Sequence, residues 1–192
     1  MYLIIYAHPE TRGYCSKILD TVKNTLYRRG KRYQVLDLYK MNYNPLLMRN
    51  EHYTAGNRDV DSVNQKIQKK MRQAEGLIFI YPVWWGSMPA VLKGFFDRVF
   101  TPRFAFRYKG IRPIGLLKNK ALVLMTAGSP LLLFKTTGNR PKILIKHDIL
   151  GLSGVRAKVV QFTGCRALQD KKLAKVRKKA NKETLAFIAK TS

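Results

Sequence analysis

The chain reads as an α/β protein built on a five-stranded parallel sheet. Three observations carry that reading. Five short apolar segments recur along the 192 residues. Segments with helical spacing separate them. Residues 78–100, IFIYPVWWGSMPAVLKGFFDRVF, then place a buried strand, an aromatic loop and a helix in direct succession. Strands that alternate with helices imply right-handed crossovers, which lay helices on both faces of a parallel sheet. Such strands are covered on both sides, so they read as continuous apolar runs. At 46% hydrophobic the chain can bury one full core, and it offers no linker, so residues 1–192 are read as a single domain.

Each element follows from its local pattern. YLIIYA, residues 2–7, is the first strand, HPETRGY a loop, and residues 15 to about 29 a helix with Ile18, Leu19, Val22 and Leu26 on its apolar stripe and Gly30 as its stop. Residues 33–38 alternate as the second strand. Residues 39–61 carry Asn, Pro and Gly without a sustained period and are expected to cross the sheet's carboxyl edge as a long excursion. Asp61 or Ser62 caps a helix reaching Glu75. Ile78, Phe79, Ile80 and Tyr81 form the third strand, which Pro82 ends by removing a donor. Pro89 suits the first turn of the helix that carries Leu92, Phe95, Phe96 and Val99. Residues 120–128 are the fourth strand, residues near 141–151 a short helix with Pro141 in its first turn, and residues 155–164 the fifth strand; a basic helix closes the chain. This order and size fit the flavodoxin-like three-layer sandwich with a sheet of order 2-1-3-4-5.

The charge balance is extreme: 37 Lys and Arg against 11 Asp and Glu, a formal +26. That points to anionic partners, namely nucleic acid, an anionic membrane surface or phosphate-bearing small molecules. The densest basic run, KKLAKVRKK (171–179), lies on a helix whose apolar positions are Leu173, Val176, Ala180, Phe187 and Ile188. A solvated outer face is preferred there over a dedicated nucleic-acid patch. The opening run is too short for a secretory h-region and no apolar segment reaches membrane-spanning length, so a cytoplasmic protein is expected. Cys15 and Cys165 are read as free thiols. The histidines, His8, His52 and His147, are scattered and no CxxC or HExxH occurs, so no metal site is expected.

Ligands of open α/β sheets sit at the carboxyl ends of the strands. Three loops converge there: residues 8–16, 82–88 and 126–134. The first opens a helix, so its free backbone N–H groups and the positive end of the dipole make an anion hole, with Arg12, Tyr14 and Ser16 as further donors. It is neither GxGxxG nor GxxxxGK[ST], which disfavours a Rossmann dinucleotide site or a P-loop. His8 either caps the strand end or bridges it to the loop. Cys15, at the helix N-terminus, is read as a small packed residue rather than an acidified thiol. In the second loop Trp84 and Trp85 either cap the core or wall a flat ligand, and Gly86 is expected to let backbone approach that ligand.

HPETRGYC, DLYKMNYNPLL (37–47), YPVWWGSMPAVLKGFFDRVF (81–100), RFAFRYKG (103–110) and TAGS (126–129) resemble, in that order and spacing, the NAD(P)H quinone oxidoreductases of the flavodoxin-like fold, including the modulator-of-drug-activity and potassium-efflux-ancillary branches. The resemblance covers roughly residues 1–165. It implies one bound flavin per chain, FMN or FAD, with NADPH or NADH as reductant. The flavin phosphate would lie at His8, Arg12, Gly13, Tyr14 and Cys15, with Ser16 beside them. The ring would lie against Pro82, Val83, Trp84, Trp85 and Gly86, with Thr126, Ala127, Gly128 and Ser129 on its other edge. In that family the FAF-x-Y segment reaches a partner subunit's flavin, which nominates Phe106 and Tyr108 in a homodimer.

Two departures stand out. Phe134 and Arg140 fall where some members place a Tyr and a His, and TAGS replaces a loop with two glycines. Arg140 is a fixed cation able to offset negative charge on the reduced flavin, but it cannot relay a proton at neutral pH. The sequence therefore reads first as a dimeric flavoenzyme that passes two electrons from NAD(P)H to a quinone or similar flat acceptor by a ping-pong route. The alternatives are a regulatory or ancillary module, for example of a potassium-efflux transporter, and an anion- or nucleic-acid-binding protein that reuses the fold.

Overall fold

A computed structural model describes residues 1–53 and 59–191. Its main sheet has five parallel strands in the order β2-β1-β3-β6-β7. β1 is Tyr2–Tyr6, β2 Tyr33–Asp37, β3 Gly76–Pro82, β6 Lys120–Thr126 and β7 Arg156–Phe162. Central β1 and β3 are buried at every position. Side chains alternate between faces: Leu3 and Ile5 join a core with α2 (Ser62–Gln73) and α3 (Ala90–Val99) on one face. Tyr2, Ile4 and Tyr6 join a second core with α1 (Tyr14–Arg28) and α6 (Asp170–Thr191) on the other. All four helices connect or follow strands that run the same way, so every loop after a strand emerges at one edge.

Boundaries expected from the sequence differ mostly by one or two residues. α1 starts at Tyr14, one residue before the expected start. α2 is capped by Asp61, whose carboxylate accepts from the Val63 N–H at 2.8 Å, and stops at Gln73. Three elements were not expected. Residues Phe106–Lys109 (β4) and Arg112–Gly115 (β5) pair as a separate antiparallel ribbon. Leu131–Thr136 (α4) is a short helix after the fourth sheet strand. The helix that begins at α5 (Arg140–Ile143), with Pro141 in its first turn as expected, widens into a π-helical stretch over Leu144–Gly151.

The excursion expected over residues 39–61 is irregular apart from a 3₁₀ turn at Arg49–Glu51, and its residues 54–58 lie outside the described ones. It packs across α3 rather than floating. An added Cβ at Gly94 would stand 2.2 Å from the Pro45 carbonyl oxygen, so only glycine admits this crossing. Four residues on, buried Arg98 donates from Nε to Glu51 Oε2 at 2.9 Å, from Nη2 to Glu51 Oε1 at 2.9 Å and from Nη1 to the Asn44 carbonyl at 2.6 Å.

Candidate active site

A cleft of about 570 Å³ opens at the carboxyl edge of β1, β3 and β6. His8, Arg12, Gly13, Tyr14 and Cys15 line it from the first loop, Pro82, Val83, Trp84 and Trp85 from the second, and Thr126, Ala127, Gly128 and Ser129 from the third. Ser16 and Gly86 lie just outside this lining. A fourth segment, Cys165, Arg166 and Leu168 after β7, also lines the cleft and was missed by sequence reasoning. The stretch TGCRALQ reads there as a linker, and its only signal is that it follows a strand at the ligand edge.

Hydrogen bonds stitch that fourth segment to the others. Cys165 N–H donates to the Ala127 carbonyl at 2.8 Å and Gly164 N–H to Ser129 at 2.9 Å. Arg166 Nε donates to the Gly128 carbonyl at 3.3 Å. The Tyr14 hydroxyl donates to the Ala167 carbonyl at 3.1 Å and accepts from Gln169 N–H at 3.2 Å. Tyr14 is thus not the ready donor the sequence implied. Ser16 is not either, because its hydroxyl already donates to the Gly13 carbonyl at 2.9 Å. Arg12, exposed and without a partner among the described residues, is the donor of the three that stays available.

α1 begins after Gly13 with no side-chain cap and no acid in its first turn, so the N–H groups of that turn have no acceptor within the helix. Arg12 and Arg166 add two full positive charges, and among the described residues no carboxylate lines the cleft. Cys15 does not turn this field into a reactive thiol. It is buried, with Sγ 3.2 Å from Thr126 Oγ1, and burial pushes the thiol up to about 12 despite that hydrogen bond. His8 Nδ1 lies 3.0 Å from the Glu10 backbone nitrogen and 3.2 Å from the Glu10 carbonyl oxygen, and its ring stands 5.9 Å from that of Trp84.

The second loop is a two-residue turn in which Trp84 and Ser87 exchange backbone bonds of 2.9 Å. Trp85 and Gly86 take φ of 50° and 72°. An added Cβ at Gly86 meets nothing within 4 Å, so the glycine requirement here is conformational. Trp84 is 42% exposed and Trp85 104%, so Trp84 walls the cleft while Trp85 projects from its rim. Backbone donors are unevenly available. Val83, Trp84 and Ala127 N–H groups already donate to Thr126, Ser87 and Phe162 carbonyls. Among the described residues, no backbone bond engages the N–H groups of Gly128 and Ser129.

Phe106 and Tyr108 sit on the β4–β5 ribbon with their rings 5.6 Å apart in an edge-on contact. Tyr108 is 59% exposed and lines a second cavity with Tyr53, Thr101 and Arg103, not the cleft of its own chain. Arg140 stands exposed at the start of α5, behind left-handed Asn139, and is not among the cleft residues.

These loops, in this order on this sheet, have counterparts. A family profile described as the flavodoxin-like fold matches residues 2–186. An NAD(P)H oxidoreductase of uncharacterised role from Haemophilus influenzae is 34% identical over 139 residues, covering 71% of this chain and 69% of the relative. Human ribosyldihydronicotinamide dehydrogenase [quinone] is 34% identical over 154 residues, covering 71% and 67%. The chain belongs to the flavodoxin-like family of NAD(P)H quinone oxidoreductases. It is accordingly an oxidoreductase enzyme. Among solved structures, the NAD(P)H:quinone oxidoreductase from Methanothermobacter marburgensis superposes with a TM-score of 0.83 at 29% identity, over 95% of this chain and 94% of that one.

Proposed function

We propose that the chain holds one flavin, FMN or FAD, in the 570 Å³ cleft and carries electrons from NADPH or NADH to a quinone or similar flat acceptor. The reading takes the fold as a three-layer sandwich whose main sheet, counted by its own strands, runs 2-1-3-4-5. One observation carries it: in a single cleft, an uncapped, acid-free helix N-terminus flanked by Arg12 and Arg166 faces an apolar wall of Pro82, Val83 and Trp84. A phosphate on a flat aromatic body needs that combination.

A bound flavin supplies hydride acceptance at N5 and two-electron delivery, with reductant and acceptor alternating in a ping-pong cycle. The protein's residues hold and shield it. First-turn N–H groups of α1 and the two guanidinium groups fix the phosphate. Pro82, Val83 and Trp84 take the ring face and exclude water. Gly128 and Ser129 N–H groups, the uncommitted donors of the third loop, meet the polar edge of the ring, where negative charge develops on reduction. His8 presents its Nε2 edge at the mouth of the first loop. Arg140, away from the cleft, is assigned no step. The exposed Tyr108, braced edge-on by half-buried Phe106, supports a homodimer in which each chain's ribbon covers the other's cleft and presents these rings to the flat acceptor.

The test is the absorbance of the purified protein, the mass of any flavin released on denaturation, and NAD(P)H oxidation with and without a quinone. A yellow protein with quinone-dependent turnover is expected. A colourless protein that binds no added flavin overturns the reading, and a yellow one without turnover favours the ancillary module.

A further inference from the structure

We infer that the face formed by α1 and α6 binds the phosphate backbone of nucleic acid, apart from the cleft and independently of any flavin. Periodicity alone leaves the lysines of α6 as a solvated surface. The structure adds their alignment and what lies beside them. Lys171, Lys175, Lys178 and Lys182 are all exposed and follow one another at spacings of four, three and four residues. These four residues fall on one line of a helix surface, a ridge about 16 Å long at 1.5 Å per residue. Among the described residues none of the four forms an ion pair, whereas Glu183, on the flank of the helix, is taken by Lys158. The only other acid of α6 is Asp170 at its start, where it offsets the helix dipole.

A groove of about 380 Å³, lined by polar and charged residues, runs beside the ridge between the two helices. Arg28, Arg177 and Lys178 wall it against a single acid, Asp20. Its floor is amide and hydroxyl. The Thr25 hydroxyl lies 2.7 Å from both the Thr21 carbonyl and Asn181 Oδ1, and the amides of Asn24 and Asn181 add neutral hydrogen-bonding groups. Charge and hydrogen-bond donors are thus present in quantity, and apolar surface is not. The one large apolar side chain that α1 and α6 expose is Tyr27.

That composition selects among anionic partners. A helix that lies on a bilayer inserts an apolar face, and a specific protein interface buries an apolar centre; this face has neither. A nucleic-acid backbone asks for cations spaced along a line and for donors to phosphate and sugar oxygens, with no apolar contact. A duplex carries one charge about every 1.7 Å of its axis, so a ridge of this length spans several phosphates on the facing strand. With no side chains arranged to read base edges, the binding is sequence-independent.

The test uses the full chain and a fluorescein-labelled duplex of about 20 random base pairs, with anisotropy followed as salt is raised. Binding is expected to fall steeply with salt. The quadruple variant K171Q/K175Q/K178Q/K182Q should bind at least about tenfold more weakly near physiological salt and lower the log–log salt slope by about 3 to 4, from about 0.9 per phosphate contact. The control K40Q/K66Q/K69Q/K118Q removes equal charge elsewhere and should change little; thermal unfolding of both variants checks that each is folded. Equal losses in the two variants would mean diffuse attraction to net charge and overturn the assignment. So would no binding to the duplex, or binding to phosphatidylserine vesicles in preference to it.

Discussion

Trp85 and Gly86 stand side by side with left-handed backbones at the tip of the second loop. For an L-residue this conformation costs about 1–2 kcal/mol, and the Trp85 ring, fully exposed, recovers none of it from packing. A strained, unburied aromatic at the rim of a cleft is a mark of function rather than stability. Trp85→Asn, which tolerates the turn, is expected to raise stability by about 1 kcal/mol while weakening flavin binding several-fold; thermal unfolding and a flavin titration read the two effects separately. Gly86→Val should act in the opposite sense on the fold, because strain rather than a clash opposes it, and should also weaken flavin binding. Cys15 behaves otherwise. With its thiol pushed up to about 12 from an ordinary 9.0, it is neutral at physiological pH, so iodoacetamide at pH 7.5 should label it only after denaturation, as mass spectrometry would show. A raised folded pKa contributes stability that is intact below pH 9 and is lost as pH climbs towards 12, so Cys15 adds to alkaline unfolding.

Among elements, the segment before α2 depends on one buried pair. Burial alone would raise the Glu51 carboxyl, but hydrogen bonds from Arg98 and Met48 N–H, with the Arg98 charge, hold it below its ordinary value. Its contribution is therefore present above pH 4.5 and fades as pH falls through the lowered value. Arg98→Met leaves a buried carboxylate unpaired and should cost about 3–5 kcal/mol, most of which Glu51→Leu in the same chain should restore; urea unfolding measures both. The β4–β5 ribbon carries the other expectation. Tyr108→Ala should raise KM for the quinone more than for the nicotinamide, and a protein that sediments as a monomer while fully active would remove the shared-site reading. Legibility follows burial. The three central strands were legible because both their faces are covered, which makes LIIY, LIFI and ALVLM continuous apolar runs, whereas the partly exposed edge strand β2 was legible by its alternation. The ribbon was not, because FRYK and RPIG are half exposed and charged, so neither shows a continuous apolar run. The first three loops of the cleft could be placed because each follows a legible strand end. Which donors remain free could not, since the bonds of Tyr14 and Ser16 depend on where residue 167 and the Gly13 carbonyl fall in space.

For the whole molecule the excess of charge is the dominant fact. With 37 basic side chains and 11 acidic ones, and a cleft that among the described residues holds Arg12 and Arg166 but no carboxylate, the potential around the mouth is positive over long range. Both nicotinamide reductants are anions, and NADPH carries one phosphate more. Steering acts through the encounter rate, so it should appear in kcat/KM and not in kcat, and the more highly charged reductant should gain more. Screening fixes the test. The Debye length is about 8 Å at physiological ionic strength and about 3 Å near 1 M, so kcat/KM for NADPH should fall as salt is added, and more steeply than for NADH. The two parts of the basic surface can be told apart, because α6 starts at the carboxyl edge beside Leu168 and runs away from it across the sheet. Neutralising Arg166 should flatten the NADPH salt dependence, since its guanidinium lies at the cleft itself, whereas neutralising the ridge from Lys171 to Lys182 should change it less, because most of that ridge lies more than a Debye length away. Equal flattening by both would mean that net charge, not its placement, guides the reductant. Salt-independent kinetics for NADPH and NADH alike would remove steering and leave the excess charge to the α1–α6 face.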